Sequence, residues 1–296
     1  MQLVIFSQKT DNTSKNKRLG AVEGDLIADL SQVPGAPESM AACCALDSEG
    51  LDRLTNLVAQ APRLALAEAT LHAPFPRPAR NIFCVGKNYH EHAREFAQSG
   101  FDASAKEIVP EAPVIFTKPP SAVIGPGDTI PGYLDPTSSV DYEGELTVVI
   151  GKGGRGISRE DALDHVFGYT IINDVTSRHL QHKHRQWVIG KGIDGFCPMG
   201  PAVMTADEAP DPRKLHLRTW VNGDLRQDVS VADLIFDIPT LISTISAYIT
   251  LEPGDLIATG TPVGVGLGFN PPKFLRKGDV VRIEIGGIGV LENQVA

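Results

Sequence analysis

Asp141-Tyr142-Glu143-Gly144-Glu145-Leu146-Thr147-Val148-Val149-Ile150 reads in two halves. Its second half, from Leu146 to Ile150, is an apolar and β-branched run of the kind that forms a buried strand. In the first half Glu143 and Glu145 stand two residues apart, so on an extended chain both side chains leave the same face. Two carboxylates held that way repel, and they need protons, cationic neighbours or a metal ion. An all-oxygen donor set of this kind suits Mg²⁺, Mn²⁺ or Ca²⁺ better than zinc. A solvated strand also presents such pairs, and the spacing alone does not choose between the two readings.

Working outward, Asp174 ends the apolar run Tyr169-Thr-Ile-Ile-Asn-Asp174, where an acidic side chain is placed to face a pocket. Together with Glu143 and Glu145 it would leave metal positions open for water or a chelating substrate. Further strands are expected in NIFCVG (81–86), PVIFTK (113–118), LHLRTWVNG (215–223), DLIATG (255–260) and VVRIEIGGIGVLENQV (280–295). Helices are expected over 158–169, with Ser158 as N-cap and Glu160 and Asp161 in the first turn, and within 231–249. The spacing of Leu51, Leu54, Leu57, Val58, Leu64 and Leu66 predicts helical segments between Ser48 and Leu71. Residues 1–30 carry short apolar runs separated by polar turns, the pattern of a strand meander. The Pro-rich stretch APFPRPAR (73–80) is the expected boundary between a small N-terminal α/β domain, residues 1–78, and a main domain, residues 79–296. The class is α+β and β-rich, with a barrel-like or sandwich-like core.

The bulk numbers fit this. A chain of 296 residues with 42% apolar and 21% charged residues can bury a substantial core, and its 29 Gly and 22 Pro supply many turns. A formal charge of −9 argues against a protein that works by neutralising nucleic-acid phosphates or by adhering to anionic membranes. The first residues read as a strand rather than a signal peptide, and no run reaches the roughly 18 apolar residues of a spanning helix, so a cytoplasmic location is expected. Cys43, Cys44, Cys84 and Cys197 lack zinc-like paired spacing and read as buried thiols.

Six ordered stretches carry a family resemblance: Val85-Gly-Lys-Asn-Tyr-His-Glu-His92, Phe116-Thr-Lys-Pro119, Asp141-Tyr-Glu-Gly-Glu-Leu146, Asn173-Asp-Val-Thr-Ser-Arg178, Gly190-Lys-Gly-Ile-Asp194 and Thr259-Gly-Thr-Pro-Val-Gly-Val-Gly266. Spread over residues 80–295, they resemble the catalytic domain of the fumarylacetoacetate hydrolase superfamily. The resemblance implies a rolled mixed β-sheet, a homodimer, and Mg²⁺ or Mn²⁺ on the carboxylates matching Glu143, Glu145 and Asp174. It also implies a variable N-terminal domain.

His92 and Glu95 lie three apart and so share a helix face. In that geometry Glu95 would orient the imidazole as a general base, a spacing similar to the dyad of short-chain family members. His90 would face elsewhere. Lys191, between two glycines, matches the family lysine that holds a substrate oxygen or enolate, and Gln181 matches a position contacting substrate oxygens. Arg178 is expected to support the carboxylates from behind or to join the substrate-binding set. Thr261 offers a hydroxyl within a glycine-rich turn, while Lys118 and Tyr142 are further candidates for substrate binding. Residues 96–112 are expected to form a lid.

The reading that follows is a metal-dependent hydrolase. It would cleave a carbon–carbon bond in a 2,4-dioxo acid such as an acylpyruvate or fumarylpyruvate-like compound, giving pyruvate or a related 2-oxo acid plus a carboxylic acid. Decarboxylation of oxaloacetate-like acids, and isomerisation or hydration of 2-hydroxydienoates, use the same metal–enolate chemistry and stay open, because fold does not choose among them. A binding protein for small acids without turnover is the non-enzymatic alternative.

Overall fold

The computed structural model of the chain describes residues 1–10, 16–101 and 108–296. Most of its strands join one twelve-stranded mixed sheet. Neighbour to neighbour, its main path runs Arg63–Ala65, Leu26–Asp29, Arg18–Glu23, Gln2–Gln8, Cys197–Thr205, Val166–Asn173, Gly144–Ile150, Leu256–Ala258, Ile82–Gly86 and Val114–Lys118. A second, antiparallel sheet has the order Asp224–Ser230, His216–Val221, Val280–Ile285, Gly289–Gln294. Together they make the strand-rich α+β fold the sequence predicts, although the large sheet follows an open path and its end strands do not pair into a closed barrel among the described residues.

Two layers of core flank the middle of the large sheet. On one face Leu146, Val148, Tyr169 and Ile171 pack with Leu217, Val281 and Ile283 of the second sheet and with Leu241, Ile242 and Ile245 of the helix Ile238–Ser246. On the other, Val149, Phe167, Ile172 and Met199 meet Leu3 and Ile5 together with Leu54 and Val58 of the helix Ser48–Gln60. With both faces covered, Gly144–Ile150 and Val166–Asn173 are buried along their whole length. This explains why they read as continuous apolar runs. Sheet and core both cross the Pro-rich stretch: Gln2 and Leu3 pair with Met204 and Val203.

Two expectations need correcting. The helix Ser48–Gln60 is capped by Asp47, which accepts from Gly50 N at 2.8 Å, but Leu64 and Leu66 lie beyond it, in the strand Arg63–Ala65 and the 3₁₀ turn Leu66–Glu68. Pro62 stops the helix, because the residue before a proline is pushed out of the α region. In 158–169, Ser158 Oγ does accept from Asp161 N at 3.1 Å, yet only a single 3₁₀ turn, Ala162–His165, follows. The β-branched and aromatic residues from Val166 onward carry the chain into a strand instead. The helix expected within 231–249 is Ile238–Ser246, started by Asp237 accepting from Thr240 N at 2.9 Å. The expected lid, 96–112, falls partly on residues 102–107, outside the described residues. All four cysteines are free and buried, and among the described residues no helix is long and apolar enough to cross a membrane.

Candidate metal centre and active site

Strand register brings the carboxylates together. Gly144 pairs with Asn173 and Glu145 with Ile172 across the antiparallel ladder, so Glu143 lies beside Asp174 and Glu145 diagonally from it. Asp174 N donates to the Glu143 carbonyl at 2.8 Å, and Asn173 Oδ1 accepts from Glu143 N at 3.0 Å, which locks the junction. Gly144 itself faces the second sheet, where a Cβ would lie 2.4 Å from Thr219 Oγ1. The alternation of a strand then turns Glu143 and Glu145 to the opposite side. There, one oxygen each of Glu143, Glu145 and Asp174 lie within 4.8 Å of one another, all three residues buried.

Three cations answer the carboxylates. Lys191 Nζ donates to Glu143 Oε2 at 2.6 Å and to Asp174 Oδ2 at 2.7 Å. From the other side Lys118 Nζ donates to Asp174 Oδ1 at 2.6 Å and to the Val175 carbonyl at 3.1 Å. Arg178 reaches Glu143 Oε1 through Nη1 at 2.7 Å and Asp141 Oδ2 through Nε at 2.9 Å. Burial pushes the Glu143 carboxyl up, but the charges of Lys191 and Arg178 outweigh it and hold the pKa down at about 2. Glu145 goes the other way: burial, then the charges of Asp174 and Glu143, drive it well above the ordinary carboxylate range.

Salt bridges explain the difference. Asp141, Glu143 and Asp174 are each bridged by Lys118, Arg178 or Lys191, whereas Glu145 is in no salt bridge among the described residues and has the Gly260 N–H at 2.9 Å as its hydrogen bond. An oxygen-seeking divalent cation fits this donor set, since it would supply the charge Glu145 lacks.

Beside the carboxylates, the helix His90–Gln98 turns His92 inward and leaves His90 exposed. His92 Nδ1 and Glu95 Oε2 are 3.0 Å apart, and Gly264 N donates to Glu95 Oε1 at 3.0 Å. With Nδ1 committed to Glu95, Nε2 is the nitrogen left for chemistry. His92 lines a cavity together with Glu143, Glu145, Arg178, Gln181, Lys191 and Thr261. Its remaining wall includes Lys87, Phe96, Phe116 and Trp187. Phe116 and Phe96 meet the Trp187 ring edge-on, at 5.2 and 6.1 Å between centroids.

Not every sequence candidate reaches this cavity. Lys118 is fully buried and spends its donors on Asp174 and the backbone, and Tyr142 sends its hydroxyl to the Gly264 carbonyl at 2.7 Å. Neither lines the space where His92 and Lys191 meet. Thr261 lines the cavity, but its hydroxyl donates to the Gly144 carbonyl at 3.0 Å and accepts from Gln227 Nε2 at 2.8 Å. Gln181 Oε1 accepts from Arg178 Nη1 at 3.2 Å, and its NH₂ end has no hydrogen-bond partner among the described residues. Arg178 Nη2 is buried without a hydrogen-bond partner among the described residues.

Two features escaped the sequence reading. Asp141 anchors Arg178 and accepts from Gly266 N at 2.7 Å and Leu267 N at 3.0 Å. The signal was present, since Asp141 continues the two-residue period of Glu143 and Glu145. Lys87, buried at φ 55°, also lines the cavity. A positive φ in a non-glycine residue leaves no mark in composition or spacing.

With this geometry in place, comparisons with known proteins become informative. The family model "Fumarylacetoacetate (FAA) hydrolase C-terminal" matches residues 81–296. Oxaloacetate tautomerase YisK of Bacillus subtilis (strain 168) is 54% identical over 231 residues, covering 78% of this chain and 74% of that protein. Among solved structures, a fumarylacetoacetate hydrolase from the psychrophile Exiguobacterium antarcticum is 41% identical with a TM-score of 0.82, covering 100% of this chain and 99% of that one. A maleylpyruvate hydrolase from Sphingobium sp. SYK-6, in complex with manganese(II) ion and pyruvate, is 36% identical with a TM-score of 0.79 over the same shares. The match of this family model across residues 81–296, together with 54% identity to a relative over 78% of the chain, makes the chain a member of the fumarylacetoacetate hydrolase family.

Proposed function

We propose that the protein is a divalent-metal enzyme that moves a proton at the carbon next to the carbonyl of a small 2-oxo acid, interconverting the keto and enol forms of an oxaloacetate-like substrate. The observation that carries this is the pairing of His92 Nδ1 with Glu95 at 3.0 Å in a cavity shared with Glu143, Glu145 and Lys191. The 54% identity to an oxaloacetate tautomerase supports the choice of reaction. Bound on Glu143, Glu145 and Asp174, Mg²⁺ or Mn²⁺ would supply Lewis-acid stabilisation of the enolate oxygen. His92 Nε2 takes the proton from C3 while Glu95 stabilises the imidazolium that forms. Lys191 and the NH₂ of Gln181 offer donors to the oxygen on which negative charge grows. A proton returned to that oxygen gives the enol, and one returned to C3 gives the keto acid.

A second reading keeps the same groups and changes the bond. His92 would activate water for attack on the distal carbonyl of an acylpyruvate, the carbon–carbon bond would break, and the 2-oxo acid enolate would leave and be protonated. The 36% identity to a maleylpyruvate hydrolase favours this alternative. Both readings carry a homodimer as part of the proposal, which a monomer mass by light scattering would remove.

The deciding experiment follows C3 hydrogen–deuterium exchange and enol absorbance of oxaloacetate, with CO₂ release, and separately carboxylic-acid release from acylpyruvates. Each runs with Mg²⁺ or Mn²⁺ and again with EDTA. Metal-dependent exchange without CO₂ or acid release, lost in His92→Ala, is expected. Acid release from acylpyruvates without enhanced exchange in oxaloacetate would replace the first reading with the second.

A further inference from the structure

Gly268 closes the 3₁₀ turn Gly266–Gly268, and its φ is not among the positive values of the chain, so its backbone conformation does not demand glycine. What it lacks is room. A Cβ there would lie 1.8 Å from Glu95 Oε1, 2.3 Å from Cδ and 2.5 Å from Cγ. All three atoms belong to the carboxylate end of one side chain, which can swing away by rotation about its own bonds. Swinging away costs Glu95 its contact with His92 Nδ1 and its hydrogen bond from Gly264 N.

The segment carrying Gly268 also touches the other half of the site. Gly264 N holds Glu95, while two and three residues on Gly266 N and Leu267 N hold Asp141, which grips Arg178 and through it Glu143. One short loop thus sets the histidine–glutamate pair against the carboxylate trio.

We infer that Gly268 is a positioning residue: the absence of its side chain forms the slot in which the Glu95 carboxylate lies, and filling the slot disconnects Glu95 from His92. The part of this that concerns catalysis rests on the reading of His92 as the proton-transfer group, while the positioning itself does not.

The test compares Gly268→Ala, Glu95→Ala and the double variant in the full-length, Mn²⁺-loaded protein. It reads kcat, KM, Mn²⁺ affinity by calorimetry and, in the Mg²⁺ form, the low-field ¹H–¹⁵N resonance of the His92 Nδ1–H. Gly268→Ala is expected to lose that resonance and on the order of 10²-fold in kcat, with KM and Mn²⁺ affinity retained. Adding Gly268→Ala to Glu95→Ala is expected to cost nothing more, because the clashing atoms are gone. A Gly268→Ala protein that keeps both the resonance and kcat overturns the inference. So does a double variant far below Glu95→Ala, or a parallel loss of Mn²⁺ affinity, since either means the substitution damages the loop itself. If the resonance disappears while kcat holds, the slot stands and the role of His92 in proton transfer falls.

Discussion

Lys118 is an ammonium group with no exposure to water, held by Asp174 at 2.6 Å and the Val175 carbonyl at 3.1 Å. A buried ion pair adds little beyond its own desolvation cost, but removing one partner strands the other charge. Lys118→Met should therefore destabilise the metal-free protein by about 3–5 kcal/mol in urea unfolding, and by less once a divalent cation is present to neutralise Asp174. Equal losses with and without metal would place Lys118 outside the electrostatics of the trio. His92 makes the opposite kind of prediction. His92→Ala should lower turnover by roughly 10²- to 10⁴-fold with KM little changed, and Glu95→Gln, which keeps the shape and loses the charge, should lower it less. A His92→Ala enzyme with near-normal kcat in steady-state assays would remove the general-base assignment altogether. The inward turn of His92 and its pairing with Glu95 were legible in the sequence because a three-residue spacing fixes one helix face. The depth of Lys118 was not, since nothing in Phe116-Thr-Lys-Pro tells whether a lysine on a strand points into a cavity or beneath one.

At the scale of elements, the turn that starts at Asp135 carries the helix Arg178–His184. Asp135 Oδ1 accepts from Thr137 N at 2.9 Å and Ser177 Oγ at 2.8 Å, and Oδ2 accepts from Ser139 N at 2.7 Å. Ser139 in turn takes Arg178 N on its carbonyl at 3.2 Å and His179 N on its hydroxyl at 3.1 Å. Burial raises the Asp135 carboxyl, and the hydrogen bonds from Thr137, Ser139 and Ser177 together bring it below its ordinary value. A depressed carboxylate contributes stability above its unfolded pKa of roughly 3.9 and loses it as pH falls through the folded value. Asp135→Asn should thus cost about 1–3 kcal/mol at neutral pH, and wild type and variant should converge as the pH drops below about 4. A gap in urea midpoints that stays constant from neutral to acid pH would mean that charge at Asp135 contributes nothing. Long-range ties of this kind set the limit of sequence reading. Period two revealed that Glu143 and Glu145 share a face, but the approach of Asp174 needed the Gly144–Asn173 register, which only the folded sheet supplies. Leu64 and Leu66 kept a helical spacing that Pro62 overrode, and the slot at Gly268 is an absence of atoms that no spacing rule reports.

Two consequences belong to the molecule as a whole. A cation bound by the folded trio and not by the unfolded chain should stabilise the protein by about 2.7 kcal/mol at a hundredfold excess over its Kd. Mn²⁺ should accordingly raise the Tm by several degrees and EDTA reverse it, and a Tm indifferent to both would leave the trio without a metal. The second concerns residues 1–78. Gln2–Gln8 lies in the interior of the large sheet, paired with Arg18–Glu23 on one side and with Cys197–Thr205 on the other. Its Leu3 and Ile5 share a core with Cys84, Val149, Phe167, Met199 and Leu256. Removing residues 1–78 would turn Cys197–Thr205 into a partly unpaired edge and uncover that apolar face, at roughly 1.5–3 kcal/mol for each large side chain exposed. Losses of that size over several side chains exceed the net stability of an ordinary domain, about 5–15 kcal/mol. A fragment of residues 79–296 should therefore aggregate on expression, and co-expression with residues 1–78 should recover soluble protein. Size-exclusion chromatography and thermal unfolding decide it: a soluble 79–296 fragment with the Tm of the whole chain would show that the metal centre stands without the N-terminal strands.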